Sequence, residues 1–414
     1  MMILPVMLGG FRVLSPFIHK IGTGLQDRQG LIDRVAAFRK KTASRPVLLF
    51  HCASAGEFES LRPLAKELDR NRFALAVSYF SPSARAATEK SNEFDFIDCS
   101  PSDDPAIVNA YLDALRPCAV CITKHDVWPN FIWQSERRGI PRFLISGNFH
   151  ARSLKMLPGA RGFHRAVYRS FTEIMTVSES DSRRAAKLCG SDKNIVTIGD
   201  SRYDQVRIRS ERPVEFQKEI IDFCKGKTVL IIGSSHTDDE NLILPLLKKL
   251  MDRFPELSTV IVPHDPSKAA SGRISSTARE FGLSVADLDL APVKNQQLLI
   301  INRTGILADL YRLGSLAYVG GGFGKGVHSV LEPMIHGLPV ITGPNINVSN
   351  EALQARTEEL LVTVTGRNQA SDVLSAWLSN SQSLLTLQKR ARQFVLDRCG
   401  ATKEIARRIQ HGLA

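Results

Sequence analysis

Apolar runs of strand length recur along the chain, and each ends in a short turn that opens a stretch with helical spacing. Arg45-Pro-Val-Leu-Leu-Phe-His-Cys52 predicts a buried strand; after the small-residue turn Ala53-Ser-Ala-Gly56, Leu61, Leu64 and Leu68 share one face of a helix that starts at Glu57. The alternation continues with strands predicted at 73–80, 94–97 and 119–123 and helices at 82–90 and 104–115. A strand and loop follow from Phe143, then strands at 173–177 and 195–198 around a helix at 180–189. A polar stretch from Arg207 to Glu219 stops the apolar runs, and the pattern restarts at Lys227-Thr-Val-Leu-Ile-Ile-Gly-Ser-Ser-His236. Later strands are predicted at 259–263, 315–320 and 338–342, before a helical tail with Leu384, Leu387, Ala391, Phe394 and Val395 on one face.

Strand and helix in alternation predict βαβ units and parallel sheets. At 414 residues the chain suits two domains, so the expected fold class is α/β, two Rossmann-like domains facing a cleft. The expected divisions are an N-terminal segment, 1–45, a first domain, 46–206, a linker, 207–225, and a second domain with C-terminal helices, 226–414. Hydrophobic residues at 43% and charged residues at 23% are those of a folded globular chain and exclude a disordered one. An excess of 54 Lys and Arg over 42 Asp and Glu gives +12 and points to an anionic partner. The basic residues are scattered and carry no aromatic-interleaved motif, so nucleic acid is not expected. Seven cysteines without regular spacing form no disulfide framework, and Cys118-Ala-Val-Cys121 lies in an apolar run with no second pair to complete a zinc site.

Residues 1–20 are apolar but broken by Pro5, Gly9, Gly10, Arg12 and Pro16, which is short of the roughly 20 uninterrupted apolar residues of a spanning helix. Arg28, Arg34, Arg39, Lys40, Lys41 and Arg45 follow. Apolar wedge then cationic segment predicts a chain that lies on an anionic bilayer surface; a loosely packed terminus with a solvated basic helix is the alternative.

The candidate chemistry sits at predicted strand ends, where doubly wound sheets bind ligands. Glu57 is there, although an acidic residue in a first helical turn also suits the helix dipole. Lys124-His-Asp126 ends another strand. Ser234 and Ser235 precede a helix opened by Asp238 and Asp239, a turn that suits a phosphate or carboxylate. His264 ends a strand, as structural histidines also do. The most distinctive stretch is Gly320-Gly-Gly-Phe-Gly-Lys-Gly-Val-His-Ser-Val-Leu-Glu-Pro333. Its glycines imply a close approach to backbone, and a helix from about His328 would aim free N–H groups at an anion and place Glu332 on the face of His328. A glycine-rich turn alone fits any α/β protein.

This run, with His336-Gly-Leu-Pro-Val340 and Gly343-Pro-Asn345, resembles the nucleotide-binding segment of the 3-deoxy-D-manno-octulosonic acid (Kdo) transferases. His51-Cys-Ala-Ser-Ala-Gly-Glu57 is similar to the family's Ser-x-Gly-Glu core, and Asp126-Val-Trp-Pro-Asn130 to its Glu-Leu-Trp-Pro-Asn segment, with Asp126 replacing a glutamate and Lys124 an acidic residue. Gly199-Asp-Ser-Arg-Tyr-Asp204 and Thr304-Gly-Ile-Leu307 are similar to two further segments, the latter without its glutamate.

The resemblance implies the two-domain GT-B fold and an inverting glycosyltransferase that moves Kdo from CMP-Kdo to the lipid A precursor (lipid IVA) on the cytoplasmic face of the bacterial inner membrane. Glu57 is then the catalytic base. Ser54, Gly56, Asp126 and Arg152 bind acceptor, with Lys155, Arg161 and Arg165 beyond, unless these form a solvated basic face. Ser234, Ser235, His264, Gly305, Gly321, Gly322, Gly324, Lys325, Gly326, His328, Ser329, Glu332 and Asn350 bind the donor nucleotide. No Asp-x-Asp pair lies beside these segments, so no metal or other cofactor is expected to be required, although Asp238 and Asp239 leave a metal open. The alternative reading is another GT-B transferase or an epimerase that uses a different nucleotide sugar.

Overall fold

The computed structural model describes residues 27–88, 91–124, 126–149, 155, 157–289, 293 and 296–413. The expected N-terminal apolar stretch, residues 1–20, lies outside them. The chain divides into two compact units, one formed by residues up to 205 with those from 398 onward, the other by 206–397.

The first unit holds a seven-stranded parallel sheet in the order β3-β2-β1-β4-β5-β6-β7. Its strands are β1 (Val47–Cys52), β2 (Ala74–Tyr79), β3 (Phe96–Cys99), β4 (Pro117–Thr123), β5 (Arg142–Gly147), β6 (Glu173–Thr176) and β7 (Ile195–Thr197). Every residue of β1 and β2 is buried, because helices cover both faces; this is why these strands are mainly apolar with no alternation, with His51 and Ser78 the polar exceptions. Cys118 and Cys121 lie in β4 and all cysteines are free thiols, so this pair belongs to the sheet.

The second unit repeats the logic in the order β10-β11-β9-β8-β12-β13-β14, again parallel throughout. These strands are β8 (Thr228–Ser235), β9 (Leu257–Pro263), β10 (Val285–Asp287), β11 (Leu298–Ile300), β12 (Leu316–Val319), β13 (Val340–Thr342) and β14 (Leu361–Thr363). The winding direction reverses between β1 and β4 in the first sheet and between β8 and β12 in the second. Each reversal opens a crevice at the carboxyl ends of those strands.

Three segments differ from the sequence expectation. Residues 31–41, expected in a separate surface segment, form a helix that buries Leu31, Val35 and Phe38 in the first core. Two of its expected membrane-facing cations are committed within that domain, Arg34 to Asp98 at 2.6 Å and Arg39 to the Thr42 carbonyl at 2.7 Å. The expected linker, 207–225, contains the end of helix Ser201–Ser210 and the whole of helix Lys218–Cys224. Finally, helix Ala401–His411, expected with the second domain, packs Ile405, Ala406 and Ile409 into the first core. Asp204 fixes it there by accepting the N–H groups of Gly400 at 2.7 Å and Thr402 at 2.8 Å, which replaces a local cap.

Candidate functional site

At the β1/β4 crevice, β1 runs through Ala53 into helix Ala55–Glu67, capped by Ser54, whose hydroxyl oxygen accepts the Glu57 N–H at 3.4 Å. Glu57 answers by accepting the Ala53 N–H at 2.6 Å through Oε2. Its Oε1 has no hydrogen-bond partner among the described residues, and only 5% of the residue is exposed. Burial raises the Glu57 pKa; the Ala53 N–H, Lys124 and His51 oppose that rise, and Asp126 adds to it. Gly56, next in the same turn, is exposed, and a Cβ there would meet nothing within 4 Å. A carboxylate poised above its ordinary range beside open space has the properties of a general base.

The β4 side of the crevice is built around it. Lys124 closes the strand in the left-handed region, φ 60°, a strained conformation for a lysine. Asp126 Oδ2 lies 3.7 Å from Nε2 of the buried His51. That nitrogen accepts the Trp128 indole N–H at 3.2 Å, so the His51 proton sits on Nδ1, 3.0 Å from Ser78 Oγ. Asp103 holds the segment from below by accepting the N–H groups of Asn130 at 3.1 Å and Phe131 at 2.9 Å, the first turn of helix Pro129–Arg137. Burial pushes the Asp103 carboxyl up to about 6, with those N–H groups opposing. Lys155 donates to the Tyr168 hydroxyl at 2.6 Å, and burial brings its ammonium down to about 8 against the pull of Asp126. Arg152 lies outside the described residues.

At the β8/β12 crevice, the glycine-rich loop leaves β12. A Cβ at Gly320 would lie 2.2 Å from the Ser234 carbonyl oxygen, at Gly322 2.6 Å from Gly343 N, and at Gly326 2.5 Å from a Val348 methyl. Gly321 has φ +89° and its Cβ would meet the Gly326 carbonyl at 2.5 Å. What comes close to this backbone is therefore the protein's own chain. The loop also satisfies itself: Gly324 and Gly326 donate to the Gly321 carbonyl at 2.9 and 3.2 Å, and Asn345 donates to the Gly322 carbonyl at 2.8 Å through its backbone and to the Gly324 carbonyl at 2.8 Å through its side chain. Gly324 differs, since its Cβ would stand 3.7 Å from the nearest atom. Gly324, Lys325 and Ser329 are the exposed part of the loop.

The helix expected from His328 begins at Leu331 and ends at Ile335. The N–H of Val327 goes to the Asn345 carbonyl and that of His328 to the Gly320 carbonyl, which ties both residues into the loop and out of the helix. Half-buried Glu332 therefore does not share a helical face with His328. Ser234 carries φ 52°, a second strained strand end, and the Ser235 hydroxyl is turned inward to Glu240 at 3.2 Å. The Gly305 carbonyl accepts from Arg209 at 3.1 Å, and Asn350 opens helix Asn350–Thr357 behind its cap Ser349.

The residue that organises this crevice is Asp239, seen in the sequence only as an acidic helix opener. Its carboxylate accepts the N–H of Gly321 at 3.0 Å, that of His236 at 3.0 Å and the Tyr318 hydroxyl at 2.8 Å, all in a position 1% exposed. So employed, it holds the turn after β8 to the loop after β12. His236, His264 and His328 gather at the rim, with ring centroids 4.3 to 5.3 Å apart.

Residues 24–205 match a family model described as 3-deoxy-D-manno-octulosonic-acid transferase. Curated proteins named 3-deoxy-D-manno-octulosonic acid transferase align over much more of the chain. That of Haemophilus influenzae is 23% identical over 394 residues, 91% of this chain and 90% of its own. That of Rickettsia bellii is 23% identical over 385 residues, 90% and 89%, and that of Aquifex aeolicus 26% over 306 residues, 73% and 78%. Among solved structures, UDP-GlcNAc 2-epimerase from Neisseria meningitidis superposes with a TM-score of 0.64 at 13% identity, covering 88% of this chain and 100% of its own. MurG from Acinetobacter baumannii gives 0.55 at 13%, covering 89% and 99%. These two are similar in fold, the GT-B architecture of paired parallel sheets.

Proposed function

The chain belongs to the Kdo transferase family of glycosyltransferases, and from that premise we propose that it moves Kdo from CMP-Kdo to the lipid A precursor with inversion at the anomeric carbon. The observation that carries the substrate reading is the kinship itself, which runs through 91% of the chain and so includes both crevices.

Direct displacement needs a base for the acceptor hydroxyl and a site for the departing nucleotide. Glu57 takes the hydroxyl proton through Oε1 as the acceptor oxygen bonds to the anomeric carbon, the bond from that carbon to the CMP phosphate oxygen breaks, and CMP leaves with the electron pair. The open space at Gly56 admits the acceptor, and Lys155 and Lys124 offer positive charge to its phosphates. In the second domain, the exposed edge of the glycine-rich loop at Gly324 and Lys325 receives the nucleotide phosphate, and Glu332 and Asn350 the ribose. The loop's internal bonds make that edge rigid before the donor arrives.

The acceptor is a lipid, so the reading includes a peripheral site on the cytoplasmic face of the inner membrane. A net charge of +12 and the exposure of Leu157 and Phe163, at 53% and 48%, support it. No helix among the described residues is long and apolar enough to cross a membrane.

Nucleotide-dependent protection against heating tests the donor, because the fold is shared with enzymes of UDP sugars. CMP is expected to raise the melting temperature and UMP and UDP to leave it in place; protection by UDP alone would transfer the chain to another nucleotide sugar.

A further inference from the structure

The three histidines at the β8/β12 crevice come from three separate elements. His236 precedes helix Thr237–Arg253, His264 follows β9 and His328 lies in the loop after β12. Each backbone is anchored: the His236 N–H to Asp239, the His264 N–H to the Ser235 carbonyl at 3.0 Å and the His328 N–H to the Gly320 carbonyl at 3.1 Å. Their nearest ring nitrogens all fall within 4.8 Å of one another, and Nε2 of His236 stands 3.0 Å from Nε2 of His328. Three nitrogens bound tetrahedrally to zinc, at the usual Zn–N lengths near ~2.0 Å, are roughly 3.3 Å apart. One edge of the trio is already near that spacing, and the other two are at most about 1.5 Å longer than it.

We propose that His236, His264 and His328 form a binding site for one divalent transition-metal ion, with the fourth position open to water or an anionic oxygen. The donor set is three imidazoles without a carboxylate, which selects Zn2+, Co2+ or Ni2+ over Mg2+ or Ca2+. His236 and His264 are exposed, which gives the ion an entry path and leaves a coordination position uncovered. The ring planes lie 19° to 34° apart, and rotation about the soft terminal torsion of these side chains turns their in-plane lone pairs toward a common point. Nitrogen ligands from residues 236, 264 and 328 are separated in sequence and carry no carboxylate pair, so the site has no signature in the chain. Binding at this site is independent of which sugar the enzyme transfers.

The test uses full-length protein stripped with a chelator and titrated with Co2+. One equivalent is expected to give the intense visible absorption of four-coordinate cobalt, displaced by Zn2+ and unaffected by Mg2+. His264→Ala and His264→Gln, at an exposed strand end, are expected to retain the wild-type melting temperature and lose this absorption. In the wild type, electron paramagnetic resonance of the Cu2+ form is expected to show coupling to imidazole nitrogens, a readout that stands even if a variant does not fold. Absence of cobalt uptake, a sulfur-to-cobalt charge-transfer band, or unchanged absorption in both variants would overturn the assignment.

Discussion

Glu57 accepts the N–H of Ala53 at 2.6 Å, so the proposed base also closes the first turn of its own helix. The two roles separate by substitution. Glu57→Gln keeps an oxygen for the Ala53 N–H and is expected to leave the melting temperature within a few degrees of wild type while transfer falls about 10²- to 10⁴-fold, the usual worth of a general base. Glu57→Ala is expected to lose the activity and about 1 kcal/mol of stability, the usual worth of such a cap. Equal stability losses with full activity in the glutamine variant would leave Glu57 a capping residue.

The acid limb of the pH profile of kcat/KM reports the same carboxylate. Because burial raises the Glu57 pKa, the basic form appears at higher pH than for an ordinary glutamate near ~4.3. Lys124 lowers that value and Asp126 raises it. Lys124→Met is therefore expected to move the limb up and Asp126→Asn to move it down. Shifts in the same direction in both variants would contradict this electrostatic account.

Burial in the folded state also disfavours ionised Glu57, so its contribution to stability is present below the unfolded pKa and is lost as pH rises through the raised folded value. Calorimetry across that interval is expected to show a flatter fall with pH in Glu57→Gln than in wild type.

Asp239 and the glycines predict opposite responses in one loop. Asp239→Ala strands two N–H groups and the Tyr318 hydroxyl and is expected to cost about 2–3 kcal/mol by denaturant unfolding. Gly320→Ala and Gly322→Ala drive a Cβ into backbone atoms at 2.2 and 2.6 Å and are expected to destabilise the second domain. Gly324→Ala meets its nearest atom at 3.7 Å and is expected to keep full stability yet weaken protection by CMP, since the added methyl stands where the phosphate would approach. Full CMP protection in Gly324→Ala would remove that edge from the donor site.

Lys155 is charged below about 8 and neutral above it. If it meets an acceptor phosphate, the acceptor KM rises as pH passes that value, and Lys155→Met shows a raised KM without the pH step. An identical step in the variant would assign the titration to another group.

Much of the fold was legible in the chain because both faces of each sheet are covered, which buries every residue of strands such as Val47–Cys52 and Leu257–Pro263 and makes them mainly apolar without alternation. The place of Glu57 in the first turn of a helix at a strand end was legible from the small-residue turn Ala53–Gly56 that follows the apolar run. Of the three-residue strands among the described residues, β7 and β13 were anticipated and β10, β11 and β14 were not, since three residues are too few to carry a pattern by themselves. The partners of Asp239 and Asp204 lie 82 and 196 residues away, so neither acid differs in sequence from an ordinary helix opener. The glycines correctly signalled a close approach, but the neighbour is Ser234, Gly343 and Val348 of the same chain, information that only tertiary contact supplies.

The most direct test of the account is transfer of radiolabel from CMP-Kdo, generated in place, to a tetra-acylated lipid A precursor by the wild-type protein and by Glu57→Gln. The account predicts labelled lipid with the wild type and a loss of at least about 10²-fold in the folded variant. Labelled lipid at equal rates with both would contradict the assigned base, and no label with a wild type that CMP protects against heating would contradict Kdo transfer to this acceptor.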